Sequence, residues 1–205
     1  KTDSILKLSQ IPVLITPGDN EVNDCPIPSD GWARWKKYFH NYDQKHWQGH
    51  SVPIERQTNN NENFAIFQEG ILILGIHMQG STPNDLVEFR KQQNDNLDWT
   101  RAKIGQYKAT LRTLLILSHA RPNRRRYEPK GHHDYFDPAV AEINKLGLAE
   151  DNVMYICGDT HRYQSFLIHD GVSSHQPLRG TVLQKGSKAV KLRIDVQGKI
   201  NIHTY

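Results

Sequence analysis

Carboxylate and imidazole side chains occur at three points of the sequence, each directly after a short apolar run. The first is Gly18-Asp19-Asn20-Glu21, the second is Ser118-His119, and the third is Gly158-Asp159-Thr160-His161. Oxygen and imidazole ligands together suit Zn, Mn or Fe, and they argue against a pure calcium site or a thiolate zinc finger. Turn chemistry alone explains any one of these polar ends. Three of them on consecutive apolar runs favour a shared metal site.

The apolar runs that precede these side chains are residues 11–16, 114–117 and 153–156. Short continuous apolar runs that end in turn residues are typical of strands buried on both faces. In open α/β sheets, ligands collect beyond the carboxyl ends of the strands. We therefore expect the three polar ends to converge at one edge of a sheet.

Helices are predicted to alternate with strands up to residue 157, and strands alone follow. This order indicates an α/β fold in a single domain over residues 1–205, with a second sheet that is largely antiparallel. The predicted helices are residues 31–39 with Asp30 as the cap, 83–109 with a break near 94–96, and 137–147. The further predicted strands are residues 64–67, 71–74, 163–169, 180–184, 189–196 and 199–203.

Composition excludes several classes of protein. The 26 Lys and Arg residues against 22 Asp and Glu leave a net charge of +4, which is compatible with a phosphate-bearing partner but does not demand one. No apolar run approaches the roughly 20 residues that cross a bilayer, so no membrane span is predicted. Cys25 and Cys157 are too few for a disulfide framework. The Lys-Ser/Thr phosphate loop, His-Glu-x-x-His, Gly-x-Ser-x-Gly and paired Cys-x-x-Cys motifs are absent from the sequence.

The ordered set of polar ends resembles the calcineurin-like metallophosphoesterases. Gly18-Asp19-Asn20-Glu21 resembles the family's Gly-Asn-His-Asp/Glu block, His119 its lone histidine, and Gly158-Asp159-Thr160-His161 its Gly-His-x-His block. The similarity is closest to a subgroup that has Pro-Gly-Asp-Asn-Glu followed by Asp-Cys, here Asp24-Cys25. That subgroup also has a later Asn-Leu-x-Trp, here Asn96-Leu97-Asp98-Trp99. The resemblance extends over nearly the whole chain.

This resemblance implies a four-layer α/β/β/α sandwich of two mixed sheets that hydrolyses phosphate monoesters or diesters. It also implies two divalent metal ions, Zn, Mn or Fe, which together activate a water and neutralise charge on the departing oxygen. On this basis Asp19, His119 and Asp159 serve the second ion, and His161 reaches the first. Subgroup members often look exported, which slightly favours a periplasmic or extracellular protein.

The chain departs from the family pattern in two ways. No Asp-x-His or Gly-Asp-x-x-Asp block lies upstream of Asp19, although these blocks supply most ligands of the family's first metal. We therefore expect an upstream segment or a second chain to complete the domain and supply its first strands. Within the retained blocks, Asp19 and Asp159 replace an Asn and a His ligand, and a carboxylate can still hold such an ion. Asn20 replaces a histidine thought to protonate the leaving group, and an amide cannot act as that acid.

Three residues are candidates for contacting the substrate. Arg121 and Arg162 each lie beside a ligand, and a guanidinium group matches phosphoryl oxygens bidentately. Both arginines could equally be solvated. Asn20 is the third catalytic candidate, by its place in the motif.

Other features weigh less in the assignment. The basic run at residues 123–127 has no stacking platform, so a solvated loop is favoured over a nucleic-acid site, with a nuclease kept as an alternative. A second alternative is a non-catalytic remnant or pseudoenzyme used for binding or assembly. His77 at a strand end could line the cleft but is more often structural in such a place. The adjacent pair His132-His133 lacks ligand spacing.

Overall fold

The structure, a computed structural model, describes residues 2–80, 83–122, 131–183 and 190–204. The helices within these ranges are α1 (Thr2–Leu6), α2 (Asn20–Asn23), α3 (Pro28–Phe39), α4 (Tyr42–His46), α5 (Leu86–Tyr107) and α6 (His133–Asn144). The strands are β1 (Ile54–Arg56), β2 (Phe64–Gln68), β3 (Ile71–Gly75), β4 (Thr113–Leu117), β5 (Val153–Cys157), β6 (Gln164–Ile168), β7 (Leu178–Val182), β8 (Val190–Ile194) and β9 (Ile200–Thr204). None of these helices is both long and apolar enough to span a membrane.

The strands form one seven-stranded mixed sheet and one two-stranded sheet. The order in the large sheet is β1-β2-β3-β4-β5-β7-β6, and β8 pairs antiparallel with β9 in the small one. β3, β4, β5 and β7 run parallel, so their carboxyl ends lie at the same edge of the sheet. The predicted α/β class with two sheets is confirmed.

The central strands are continuously apolar because both faces of the sheet are covered. Alternate residues of a strand point to opposite faces. Leu114 and Ile116 of β4 belong to the core that also contains side chains of α5 and α6. Leu115 belongs to a second cluster, with Ile200 of β9 and the partly buried Ile202. The two helices therefore cover one face of the sheet, and the β8-β9 pair covers part of the other.

Tight turns fix the register of two hairpins as the sequence predicts. Glu69 and Gly70 join β2 to β3 with φ values of 50° and 78°, the left-handed conformation that a two-residue hairpin turn requires. Gly198 between β8 and β9 has φ 86°. Its carbonyl accepts a hydrogen bond from the Thr113 hydroxyl at 2.7 Å, which ties the small sheet to β4.

The prediction of a buried strand at residues 11–16 is wrong. This segment is irregular and pairs with no strand in the described ranges, and Ile11 is 72% exposed. A strand needs a neighbour to take up its backbone hydrogen bonds. Pro12 and Pro17 also remove two donors from the segment.

All three predicted helices differ in extent from their predicted ranges, and α3 begins earlier, at Pro28. α5 is continuous through residues 94–96, because the side chain of Asn96 is buried and bonds to the His77 carbonyl at 2.7 Å instead of breaking the helix. α6 begins at His133 rather than at residue 137, with Pro138 inside it. Pro138 therefore leaves the carbonyl of Asp134 without its usual partner within the helix.

Candidate metal centre

Three side chains from distant parts of the chain converge on one point. Asp19, His119 and Asp159 each offer one ligand atom, and these atoms all lie within 4.8 Å of one another. The Nε2 atom of His119 is 2.8 Å from Oδ1 of Asp19 and 4.0 Å from Oδ1 of Asp159. These three residues are among the four that the sequence assigns to metal binding.

Adjacent parallel strands position His119 and Asp159. Each is the second residue after its strand, β4 for His119 and β5 for Asp159. Beyond the strand ends, the backbone N–H groups of Gly158 and Asp159 both donate to the His119 carbonyl at 3.1 Å. Oδ2 of Asp159 accepts from the backbone N–H of Arg121 at 3.3 Å. The two strand ends are therefore held together by hydrogen bonds that continue the sheet.

Asp19 reaches the group from a loop and not from a strand. It lies just before α2, and its carbonyl accepts from the backbone N–H groups of Val22 at 3.1 Å and Asn23 at 2.8 Å. Its carboxylate lies against the backbone of Gly80, so that a Cβ atom at Gly80 would collide with Oδ2. The third strand end near the group is that of β3, which leads to Gly80, in place of the strand predicted at residues 11–16.

The charges of the group stabilise one another. Hydrogen bonding from His119 lowers the pKa of the Asp19 carboxyl and outweighs the opposing effect of partial burial. Burial lowers the pKa of His119. The hydrogen bond to Asp19 and the charges of Asp19, Asp159 and Glu21 raise this pKa by a larger amount, so the net shift is upward. In the absence of a cation, a proton on His119 therefore offsets part of the carboxylate charge.

The donor set fits a borderline divalent ion. Two carboxylates and one imidazole are ligands that Zn, Mn and Fe share. The side chains of Asp19, His119 and Asp159 are 13%, 22% and 29% exposed, so the group is open to solvent on one side. Three protein ligands and an open position are the usual arrangement of a catalytic rather than a structural site.

The remaining predicted residues lie outside this group. His161 is exposed, has φ 59°, and donates its backbone N–H to the Gly158 carbonyl at 3.2 Å. Asn20 and Arg162 are also exposed. The guanidinium carbon of Arg121 lies 5.3 Å from the centroid of the Phe166 ring, although the backbone of Arg121 contacts Asp159. The basic run at residues 123–127 lies outside the described residues.

Two residues near the group have roles that the sequence does not reveal. Gly80 permits the close approach of Asp19, and nothing in its sequence context marks it. His132 is 1% exposed at the start of α6, and its Nε2 lies 2.8 Å from the Gln79 carbonyl. Burial lowers the pKa of His132, while the charge of Asp159 acts in the opposite direction, which places the two residues in the same region. The adjacent His132-His133 pair gives no such signal in the sequence, because only the fold brings His132 near Asp159.

Comparisons with protein-family models, with curated proteins and with solved structures give no match for this chain. The resemblance to calcineurin-like metallophosphoesterases is therefore carried by the motif residues themselves. The proximity of Asp19, His119 and Asp159 is a separate, geometric observation.

Proposed function

We propose that this chain is the C-terminal part of a metal-dependent phosphoesterase domain that hydrolyses phosphate monoesters or diesters. The observation that supports it is the convergence of Asp19, His119 and Asp159 within 4.8 Å, from three stretches of chain that the motif comparison singles out. Ligands of these types arranged around one open point suit a catalytic divalent cation.

Each residue of the group has a definable task in this proposal. A bound divalent ion would lower the pKa of a coordinated water, which could then attack phosphorus. Asp19 and Asp159 supply the negative charge that attracts the ion, and His119 supplies a neutral nitrogen once its proton leaves. The N–H of Arg121 holds Oδ2 of Asp159, which leaves Oδ1 facing His119. Asn20 can donate a hydrogen bond from its amide to a phosphoryl oxygen but cannot protonate the leaving group.

A second ion requires ligands beyond this group. The family pattern assigns the first ion to the Asp-x-His and Gly-Asp-x-x-Asp blocks and to His161. We propose that an upstream segment or a second chain supplies those blocks. Arg121 and Arg162 remain candidates for binding the phosphate in the completed site.

A metal-binding domain without hydrolytic activity is the second candidate. The observation that favours it is the amide of Asn20 at the position of the family's acid. Such a domain would bind one metal ion and turn over neither monoesters nor diesters.

Metal titration and ester hydrolysis separate these candidates. The chain is prepared together with the upstream segment or second chain that completes the domain, as wild type and as His119→Ala. Both preparations are titrated with Mn²⁺ and Zn²⁺ by calorimetry and assayed with 4-nitrophenyl phosphate and bis(4-nitrophenyl) phosphate. The control is His169→Ala, because this exposed histidine follows β6, which runs antiparallel to β7 and therefore ends at the opposite edge of the sheet.

We expect His119→Ala to lose metal affinity by about 10–100-fold or more, since it removes a ligand rather than a supporting residue, and to lose hydrolysis with it. His169→Ala should match the wild type. Metal binding without hydrolysis of either ester would favour the non-catalytic domain. Equal metal affinity in His119→Ala and the wild type would refute the metal centre itself.

A further inference from the structure

A second recess lies beside the metal group and is not used by the proposed chemistry. It is a cleft of about 440 Å³ between α3 and the first half of α5, and most of the side chains that line it are polar or charged. Trp32, Glu62 and His77 form part of its wall. Clefts of this size hold small-molecule ligands in many proteins.

The cleft adjoins the surroundings of Asp19. Val22 lines the cleft and donates its backbone N–H to the Asp19 carbonyl at 3.1 Å. Gln79 also lines it, and the next residue, Gly80, is the one that the Asp19 carboxylate touches. A molecule held by the metal group through a phosphate could therefore extend into the cleft.

Glu62 places a buried carboxylate in the wall of the cleft. Its relative exposure is 8%, and no Lys or Arg in the described ranges forms an ion pair with it. Burial raises the pKa of Glu62. This effect is outweighed by the neighbouring His77, the backbone N–H of Glu62 itself and the charge of Lys36, which together lower the pKa, so the carboxyl is ionised at neutral pH. A carboxylate in this state needs donors, and bound hydroxyl groups can supply them.

His77 adds a ring nitrogen that lacks a partner. Its Nδ1 atom lies 3.1 Å from Nε2 of Gln92 and 3.4 Å from Oε1 of Glu62. Its Nε2 atom is buried and has no hydrogen-bond partner among the described residues. The ring stacks on Trp32 with centroids 5.3 Å apart and planes 16° apart, which fixes its orientation. A hydroxyl group can satisfy Nε2 in either protonation state, because it both donates and accepts.

The charges around the cleft argue against an anion inside it. Lys91 is bonded to Asp95 at 2.5 Å, and the ammonium of Lys36 lies 5.0 Å from the Trp32 ring centroid. Among the described residues, Glu62 contacts His77 but forms no ion pair with a Lys or Arg. A phosphate group would meet this carboxylate, whereas a neutral group rich in hydroxyls would find both acceptors and donors.

We propose that the cleft binds the alcohol portion of the phosphate ester, a neutral polyhydroxylated group such as a sugar or polyol, with Glu62 and His77 as its specificity-determining residues. This inference rests on the proposed function for the phosphate end of the ligand. The cleft itself can be tested without hydrolysis.

The test compares two substrates and one free ligand. The ratio of kcat/KM for glucose 6-phosphate to that for 4-nitrophenyl phosphate is measured for the Mn²⁺-loaded wild type and for Glu62→Gln, which keeps the size of the side chain but removes its charge. Saturation-transfer NMR with free glucose reports on the cleft directly. The control is Glu142→Gln on α6, because Glu142 does not line the cleft. Thermal unfolding of each variant shows that it is folded.

We expect the substrate ratio to fall about tenfold or more in Glu62→Gln, since a site built around hydroxyl groups loses discrimination when an acceptor is weakened. The glucose signal should be lost with it, and Glu142→Gln should keep both. Glucose binding that depends on Glu62 without hydrolysis of any ester would overturn the phosphoesterase proposal but support the cleft as a sugar site. A wild type that shows no saturation transfer, or an unchanged ratio in Glu62→Gln, would overturn the cleft assignment.

Discussion

Replacing Gly80 by alanine should weaken metal binding without unfolding the protein. A Cβ atom at this position would lie 3.3 Å from Cγ of Asp19 and collide with Oδ2, while the backbone of Gly80 does not have the positive φ that disfavours alanine. The atoms in the way are the end of a short side chain, so Asp19 can rotate aside at a cost of about 1 kcal/mol. That rotation removes Oδ1 from its position 2.8 Å from His119 Nε2.

The effect on metal affinity follows from this displacement. A ligand that moves by about 1 Å can no longer meet the narrow distance range of a first-row metal ion, and disturbance of a supporting residue alone costs about 10–100-fold in affinity. We therefore expect Gly80→Ala to bind Mn²⁺ or Zn²⁺ about 100-fold more weakly than the wild type. By contrast, its thermal midpoint in the absence of metal should fall by only a few degrees.

Gly158→Ala is the matched control, because Gly158 directly precedes the ligand Asp159 and yet a Cβ atom there would meet nothing within 4 Å. Calorimetric metal titration and thermal unfolding of both variants provide the measurements. Wild-type affinity in Gly80→Ala would contradict the placement of Asp19 against Gly80. An equal loss in both variants would show that any change at this edge of the sheet disturbs the group, and the steric explanation would then fail.

Three further predictions concern stability and reactivity. Burial raises the pKa of Glu55, but hydrogen bonds from Lys103 and Tyr107 lower it to a net value below the ordinary 4.5. The stabilisation of the folded state by the Glu55 carboxylate is therefore present above pH 4.5 and is lost as the pH falls through the lowered pKa. Glu55→Gln should make the free energy of unfolding, measured by urea titration, less dependent on pH in that acid range. Burial raises the pKa of the Cys157 thiol to about 12. A thiol reagent at pH 8 should thus modify only Cys25 in the folded chain, and modification of Cys157 without unfolding would contradict its burial. Asn96→Ala should lower the free energy of unfolding by about 2–3 kcal/mol, since it leaves buried polar groups unpaired, and a urea titration that shows no change would contradict this.

Most of the regular structure was predictable because it depends on local pattern. The apolar runs that became β4 and β5, and the β2-β3 hairpin with its glycine turn, carry their signals within a few residues. The strand predicted at residues 11–16 has the same local pattern but no neighbouring strand in the described part of the chain, and a strand depends on its neighbour. Asn96 shows the opposite case, in which long-range hydrogen bonds override a residue type that usually interrupts helices.

The same distinction between local pattern and long-range contacts applies to the residues of the candidate site. His119 and Asp159 follow directly from the rule that adjacent parallel strands present their carboxyl ends together. Asp19 lies in the group, but it comes from a loop and not from the end of the predicted strand. Gly80 and His132 could not be found, because their importance comes from contacts between segments that are far apart in the sequence.

The balance of charge gives an independent reason to regard the group as a cation site. Two carboxylates whose oxygens lie within 4.8 Å of each other repel one another unless a positive charge lies between them. A purely structural pair would normally be neutralised by lysine or arginine. In the described part of the chain, the only ion-pair partner of Asp19 or Asp159 is His119, and a single imidazolium cannot balance two carboxylates. A divalent ion at the same point would neutralise both, as the proposed metal centre predicts.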